Sequence, residues 1–186
     1  HHGEEFVSSK NRPMIPITHK PSNEPQIIFE DENLKVESFL VDHFPVKKAL
    51  GFRVLFGERK IIISGDTEIT KNVFSLVDGA DVLIHDGMIK DHVLFLEKIA
   101  KENNVKRAEI AFNDIVDYHA DVVDIKENLQ DKKLGLLVIN HLVPPKNPIG
   151  ERYINDLFSD VPYKFLLAKD KDRIFISKNS TQIDIN

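Results

Sequence analysis

The sequence contains no cysteine, so disulfide bonds and thiolate metal ligands are excluded. Any metal site must therefore use histidine, aspartate or glutamate. No apolar run approaches the roughly 20 residues that a membrane-spanning helix needs. The 25 lysines and arginines are outnumbered by 30 aspartates and glutamates, which gives a formal net charge of -5. This balance provides no overall basic surface for nucleic acid.

What is present is the composition of an ordinary folded domain. Of the 186 residues, 41% are hydrophobic and 30% are charged. Residues 1–25 hold four of the nine prolines and little periodicity, so we expect an extended lead-in there. The polar start resembles neither a signal peptide nor a transit peptide, and His1-His2 taken alone is typical of an expression-tag remnant.

Apolar periodicity predicts an α/β fold with antiparallel strand pairs at both ends of the chain and βαβ-like units between them. The predicted strands are 26–29, 34–41, 50–56, 59–64, 81–85, 134–140, 164–168 and 173–177. The predicted helices are 70–77, 89–103, 120–131 and 149–158. The last two strands are expected to pair as a closing hairpin.

Two predictions concern the core. In the helix at 89–103 we expect Leu94, Ile99 and Ala100 to form the apolar face. Phenylalanines in the strand regions are also expected to be buried, and these are Phe29, Phe39, Phe44, Phe52 and Phe56.

Three predicted strands each lead into a residue that can bind a cation: Asp66, His85 and His141. If these strands are parallel neighbours, their carboxyl ends share one edge of the sheet, where α/β proteins bind ligands. An aspartate and two histidines there suit a hard or borderline cation. Each residue has an ordinary alternative, since Asp66 can cap the following helix and a single histidine can be a satisfied core or surface residue. No HxxxH pair supports the metal hypothesis.

Several segments, taken in order, resemble the ribonuclease Z-like and arylsulfatase-like branch of the metallo-β-lactamase superfamily. They are Val41–Val46, Ala49–Arg53, Ile61–Thr67, Gly79–Asp86, Asp117–Asp121 and Val138–Pro145. His1–Phe6 is similar to a stretch that some members carry before this region, which favours an authentic truncated sequence over a tag. The resemblance extends over roughly residues 1–145, and the ordered set is more specific than any single motif.

The resemblance implies roles for individual residues. Asp66 would bridge two metals and His141 would bind one of them, so these two are the candidate metal ligands. His119 would lie beside the site and donate a proton, which makes His119 and Asp66 the candidate catalytic residues. His43 would support the loop that leads into residues 49–51, and His85 would lie near the site without binding metal.

The sequence departs from the branch in three places. Asp86 stands where the branch usually has glutamate, and Gly87 replaces a small alanine-like residue. Ala120 replaces the usual threonine or serine, so we expect a helix cap to be lost. The HxHxDH motif, which supplies most metal ligands in this family, does not occur. We therefore expect residues 1–186 to be the C-terminal portion of one domain, with the N-terminal half absent and the site incomplete.

The resemblance implies a metal-dependent hydrolase of phosphodiester, sulfate ester or other ester bonds, using two zinc ions and a metal-bound hydroxide. The alternative is a non-catalytic fragment or interaction module, and the chain alone is expected to be inactive. The acidic balance favours a small ester substrate over RNA. An apolar sheet face formed by Ile62, Val82 and Val138 is expected to need the N-terminal half or a second copy as its partner. Membrane association is not expected, and a cytoplasmic or periplasmic location stays open.

Overall fold

The computed structural model describes residues 17–178 and 182–186. The predictions for residues 1–16, including the His1–Phe6 similarity and most of the lead-in, lie outside the described residues. Residues 17–25 contain neither helix nor strand, as the sequence predicts for the rest of the lead-in. No helix in the described part of the chain is long and apolar enough to cross a membrane.

The first four strands follow one another, and helices lie between the strands from β4 to β7. The strands are β1 (Gln26–Glu30), β2 (Leu34–His43), β3 (Val46–Phe56), β4 (Arg59–Ile63), β5 (Ala80–Met88), β6 (Leu134–Val143), β7 (Lys164–Leu167), β8 (Ile174–Ile176) and β9 (Ile183–Ile185). The helices are α1 (Lys71–Val77), α2 (Lys90–Glu102), α3 (Lys106–Ile115), α4 (Val122–Asn128) and α5 (Pro148–Leu157).

The first seven strands form one sheet in their chain order, β1 to β7. The strands β1 to β4 pair antiparallel, and β4 to β7 pair parallel. Helical connections join the parallel strands because a parallel neighbour can be reached only by a crossover. The predicted α/β class is confirmed, together with both strand pairs at the start of the sheet.

The main core lies between one face of the sheet and the helices α1, α4 and α5. Strand register aligns Ile62 with Leu83 and Leu83 with Leu137, and all three side chains are fully buried. The helices contribute apolar side chains to the same cluster: Val73, Phe74, Val77, Val122, Ile125 and Ile154.

The opposite face carries a smaller core that the short β8–β9 sheet covers. Val82, Leu136 and Val138 are buried there against Ile183. The prediction of one exposed face formed by Ile62, Val82 and Val138 is therefore wrong. Ile62 lies in register with Leu83 and not with Val82, and adjacent strand residues point to opposite faces.

On this second face, the part of the sheet near β1, its first strand, is only partly covered. Phe29 pairs with Val36 in β2, and half of its surface is exposed (50%). Phe44, at the turn after β2, is also exposed, whereas Phe39 is fully buried on the helix face. The expectation that these phenylalanines are all core residues is wrong for Phe29 and Phe44, because a strand buries both faces only where both are covered.

The prediction that the last two strands pair as a closing hairpin is also wrong. β7 pairs parallel with β6 after the α5 crossover, and β8 pairs with β9. In α2 the buried residues are Val93 and Ala100, whereas Leu94 and Ile99 are exposed. The buried face is thus rotated by about one residue from the predicted one, because α3, absent from the sequence prediction, packs against this helix.

Leu137 provides a direct test of the main core. Leu137→Ala should lower the free energy of unfolding by about 2–5 kcal/mol, because it leaves a cavity in the sheet centre. Urea unfolding followed by circular dichroism measures the change, with Leu94→Ala on the exposed side of α2 as the matched control. Equal effects of the two substitutions would contradict this description of the core.

Candidate functional site

The carboxyl ends of β4, β5 and β6 meet at one edge of the sheet, because the three strands are parallel neighbours. Asp66 follows β4 and His141 lies near the end of β6. Their side chains face each other there, with His141 Nδ1 3.6 Å from Asp66 Oδ2. Both side chains are about half exposed, so a ligand can reach them from solvent.

A glycine turn places Asp66 at the edge. Gly65 has φ 68°, and a Cβ there would lie 2.8 Å from the carbonyl oxygen of Leu50. A residue with a side chain would meet both backbone strain and a clash, so glycine is required. The helix that follows is capped by Thr70, whose hydroxyl accepts from the backbone N–H of Val73 at 3.3 Å. The alternative role for Asp66 as the cap of α1 is therefore wrong.

A buried histidine–carboxylate pair lies beside this edge. His119 Nδ1 is 2.7 Å from Asp86 Oδ2, and both residues are buried. The other carboxylate oxygen of Asp86 is 2.9 Å from His85 Nδ1 and accepts from the backbone N–H of Thr67 at 3.3 Å. Burial alone would raise the pKa of Asp86, but the side-chain hydrogen bonds from His119 and His85 outweigh it and hold the pKa below its ordinary value.

The His119 ring lies next to the exposed pair. Its centroid is 5.2 Å from that of His141 and 5.4 Å from that of His43. His43 Nδ1 lies 3.0 Å from the backbone carbonyl of Tyr118 and donates to it. His43 therefore ties the β2–β3 turn to the segment that carries His119. This turn leads into residues 49–51, where the resemblance implied a supporting role for His43.

The departures from the family pattern leave this arrangement intact. Asp121 caps α4 by accepting from the backbone N–H of Val123, so the cap expected to be lost at Ala120 is supplied one residue later. Asp86 reaches His119 although aspartate is shorter than glutamate. At Gly87 a Cβ would lie 3.0 Å from Ile139, so the backbone is closely packed there.

The surroundings of the site are electrostatically uneven. A cavity of about 720 Å³ lies beside His141, and Lys146 and Lys169 line it together with Glu151 and Asp170. A smaller cavity of about 170 Å³ lies beside His119, and its charged lining consists of three acidic side chains and one lysine: Glu68, Asp121, Asp124 and Lys90. Partial burial, then the charges of Asp42 and Asp117, raise the pKa of Glu68. Burial is also the main cause that raises the pKa of Asp121.

The described residues contain no group of three histidine, aspartate or glutamate side chains placed around one ion. Asp66 and His141 offer one carboxylate and one imidazole, which are donors that zinc accepts. A structural or catalytic zinc site takes three or four protein ligands, so two donors suit part of such a site. His85 does not extend the set, because its side chain is fully buried and faces Asp86.

Sequence reasoning did not include Asp86, Thr67 or Glu68 among the site residues. Asp86 had a detectable signal, since it follows His85 at a strand end and replaces the glutamate usual in the branch. Thr67 contributes a backbone N–H and hydrogen-bonds through its hydroxyl to the backbone of Asp42, and side-chain type alone does not reveal such roles. Glu68 becomes part of the site only through the fold.

No protein-family model matches the chain. The chain is 27% identical over 122 residues to the ribonuclease Z of Mycobacterium sp. (strain KMS), an alignment that covers 66% of this chain and 39% of that protein. It is 32% identical over 107 residues to the ribonuclease Z of Mycobacterium tuberculosis (strain H37Rv), covering 58% of this chain and 35% of that protein. The chain thus matches less than half the length of these relatives.

A solved structure supports the fold independently of close sequence similarity. The metallo-beta-lactamase fold protein YhfI from Bacillus subtilis superposes with a TM-score of 0.57 at 12% identity, covering 89% of this chain and 60% of that one. The seven-stranded mixed sheet with its helices accordingly has the metallo-β-lactamase fold. The chain thus has the metallo-β-lactamase fold and is similar in sequence to ribonuclease Z over part of its length.

Proposed function

We propose that this chain is part of a divalent-metal-dependent phosphodiester hydrolase. The observation that carries the proposal is the placement of two pairs at one sheet edge. The exposed pair, Asp66 and His141, can bind a cation, and the buried pair, His119 and Asp86, lies directly beside it. The similarity to enzymes named ribonuclease Z supports a phosphodiester as the bond that is cleaved.

Asp66 and His141 are the residues proposed to hold the metal. With zinc as the ion and two ions in the complete site, Asp66 and His141 would be the ligands that this chain contributes. Bound divalent metal lowers the pKa of water and polarises the phosphoryl oxygen. Since the described residues form no group of three such donors, the remaining ligands are proposed to come from outside the described residues, in the N-terminal half of the domain or in another chain.

His119 is proposed to protonate the leaving oxygen. Its Nδ1 donates to the carboxylate of Asp86 at 2.7 Å, which leaves Nε2 at the opposite end of the ring for the substrate. A buried carboxylate in that position orients the ring and stabilises its protonated form. The pair has the parts that general acid catalysis requires.

The acidic surroundings of His119 favour a small diester over RNA. Glu68, Asp121 and Asp124 line the cavity beside it and would repel a polyanion. On the other side of His141 the larger cavity carries Lys146 and Lys169, which can face a single phosphate. We therefore propose a small-molecule diester as the substrate class.

The partly open second face of the sheet supports a covering partner. Phe29 is half exposed there, and an apolar face of this kind commonly packs against another surface. The N-terminal half of the same domain is the proposed occupant, with a second copy of the chain as the alternative. The sheet that covers this face would also approach the edge where Asp66 and His141 lie.

The test is a substrate comparison with the full-length protein after zinc loading. Bis(para-nitrophenyl) phosphate should be hydrolysed with a higher kcat/KM than para-nitrophenyl sulfate and than precursor tRNA, and chelator-treated protein should be inactive. Faster hydrolysis of the sulfate, or no hydrolysis with zinc bound, would overturn the phosphodiesterase proposal. Preference for precursor tRNA would overturn the small-substrate part alone.

A further inference from the structure

The buried residue His85 contacts the carboxylate that partners His119, and no role has yet been assigned to it. Its side chain is fully buried, and its Nδ1 lies 2.8 Å from the backbone carbonyl of Asp86 and 2.9 Å from Asp86 Oδ1. The ring packs near Phe74, with centroids 5.7 Å apart. It therefore lies beneath the site, away from the exposed edge where Asp66 and His141 face solvent.

The contacts of His85 determine which ring nitrogen carries the hydrogen. Both groups next to Nδ1, a carbonyl and a carboxylate oxygen, are acceptors, so Nδ1 must be the donor. Nε2 is buried and has no hydrogen-bond partner among the described residues. A hydrogen on Nε2 would be left unsatisfied in an apolar environment, which is costly. The Nδ1–H tautomer is thus the one that this geometry accommodates.

The two oxygens of Asp86 have different partners. Oδ2 accepts from His119 at 2.7 Å, and Oδ1 faces His85 at 2.9 Å and the backbone N–H of Thr67 at 3.3 Å. The Nδ1–H of His85 is shared between Oδ1 and the backbone carbonyl of Asp86 at 2.8 Å, so His85 and Thr67 together hold the Oδ1 side. Without His85, the carboxylate could rotate and share its oxygens differently with His119.

We propose that His85 is a positioning residue, whose Nδ1–H fixes the Asp86 carboxylate so that His119 is held with Nδ1 towards Asp86 and Nε2 towards the substrate. The catalytic part of this inference rests on the proposed function. The structural part concerns only how three buried side chains, His85, Asp86 and His119, orient one another. The two parts can be measured separately.

Three substitutions separate hydrogen bonding from packing. His85→Leu keeps an apolar side chain of moderate size and removes the donor. His85→Asn places an amide N–H near the former position of Nδ1, and His85→Gln places it near Nε2, away from Asp86. The His85→Asn variant should therefore behave like the wild type. The His85→Leu and His85→Gln variants should both lose the ability to fix the Asp86 carboxylate. If the Leu variant does not fold, the Asn and Gln variants still provide the comparison.

The structural measurement uses proton–nitrogen correlation spectra of the imidazole rings in metal-free full-length protein. His119 should show a single Nδ1–H tautomer in the wild type and in His85→Asn. It should show mixed tautomers in His85→Leu and His85→Gln. An unchanged His119 tautomer in both of these variants would overturn the proposal whatever the activity is.

The kinetic measurement uses the zinc-loaded full-length protein and two diesters, one with an alkoxide and one with a para-nitrophenolate leaving group. His85→Leu should reduce kcat about 10–100-fold for the alkoxide substrate, a typical effect of losing a supporting hydrogen bond, and should hardly change it for the nitrophenolate substrate. Equal losses on both would indicate general structural damage and would overturn the positioning role. If no diester is hydrolysed but the tautomer changes, the proposed function fails and the structural inference stands.

Discussion

Asp66→Ala in the full-length protein is expected to remove bound zinc and activity together. A bridging carboxylate holds both ions in place, and the only other donor proposed from this chain, His141, lies 3.6 Å from it. The lost metal-based charge stabilisation is worth several kcal/mol, so kcat/KM for a diester should fall by at least about 10²-fold. Metal content after dialysis and hydrolysis rates are measured on the same preparation.

The matched control for this change is Asp156→Ala. Asp156 is an exposed aspartate on α5 whose carboxylate faces Arg152 at 3.7 Å. It should keep full zinc content and full activity. Retention of two tightly bound zinc ions in Asp66→Ala would show that Asp66 is not a ligand, and the metal assignment would then be wrong.

His119→Ala is expected to keep its zinc and to lose activity selectively. General acid catalysis contributes about 10²–10⁴ in rate, so kcat should fall by that factor when the leaving group is an alkoxide. A nitrophenolate leaves readily without a proton, so the loss on that substrate should be small. The measurement is kcat for both substrates, with zinc content determined in parallel.

Asp86→Asn is the companion variant for His119→Ala. It keeps the shape of the side chain that accepts from His119 Nδ1 but removes the charge that favours a protonated ring. Its loss should follow the same leaving-group dependence and be smaller. An equal loss on both substrates in His119→Ala would mean that His119 is not the acid, and loss of zinc would mean that it supports the metal site.

The fold could be predicted from the sequence where local patterns decide the structure. Strand period and turn residues locate the β1–β2 and β3–β4 pairs, and the predicted helix at 70–77 is found as α1, although its cap is Thr70 and not Asp66. The pairing of β7 and β8 could not be predicted in this way. Both strands are short and apolar, and their partners depend on the α5 crossover and on β9, which lie apart in the sequence.

In the site, too, some features could be predicted from the sequence and others could not. The placement of Asp66 beside His141 follows from three parallel strands whose carboxyl ends share an edge. The hydrogen bond between Asp86 and His119 joins residues 33 positions apart, across the α2–α3 excursion, and no local periodicity encodes it. The helix α3, which buries no residue of its own, was not predicted from the sequence.

The helices α2 and α3 follow β5 and end shortly before His119. After them, two backbone contacts fix the segment that carries His119: the carbonyl of Tyr118 accepts from His43 at 3.0 Å, and the carbonyl of Ala120 accepts from the backbone N–H of Met88 at 2.7 Å. Neither contact involves α2 or α3. Insertions and deletions in α3 are therefore expected to leave the position of His119 unchanged.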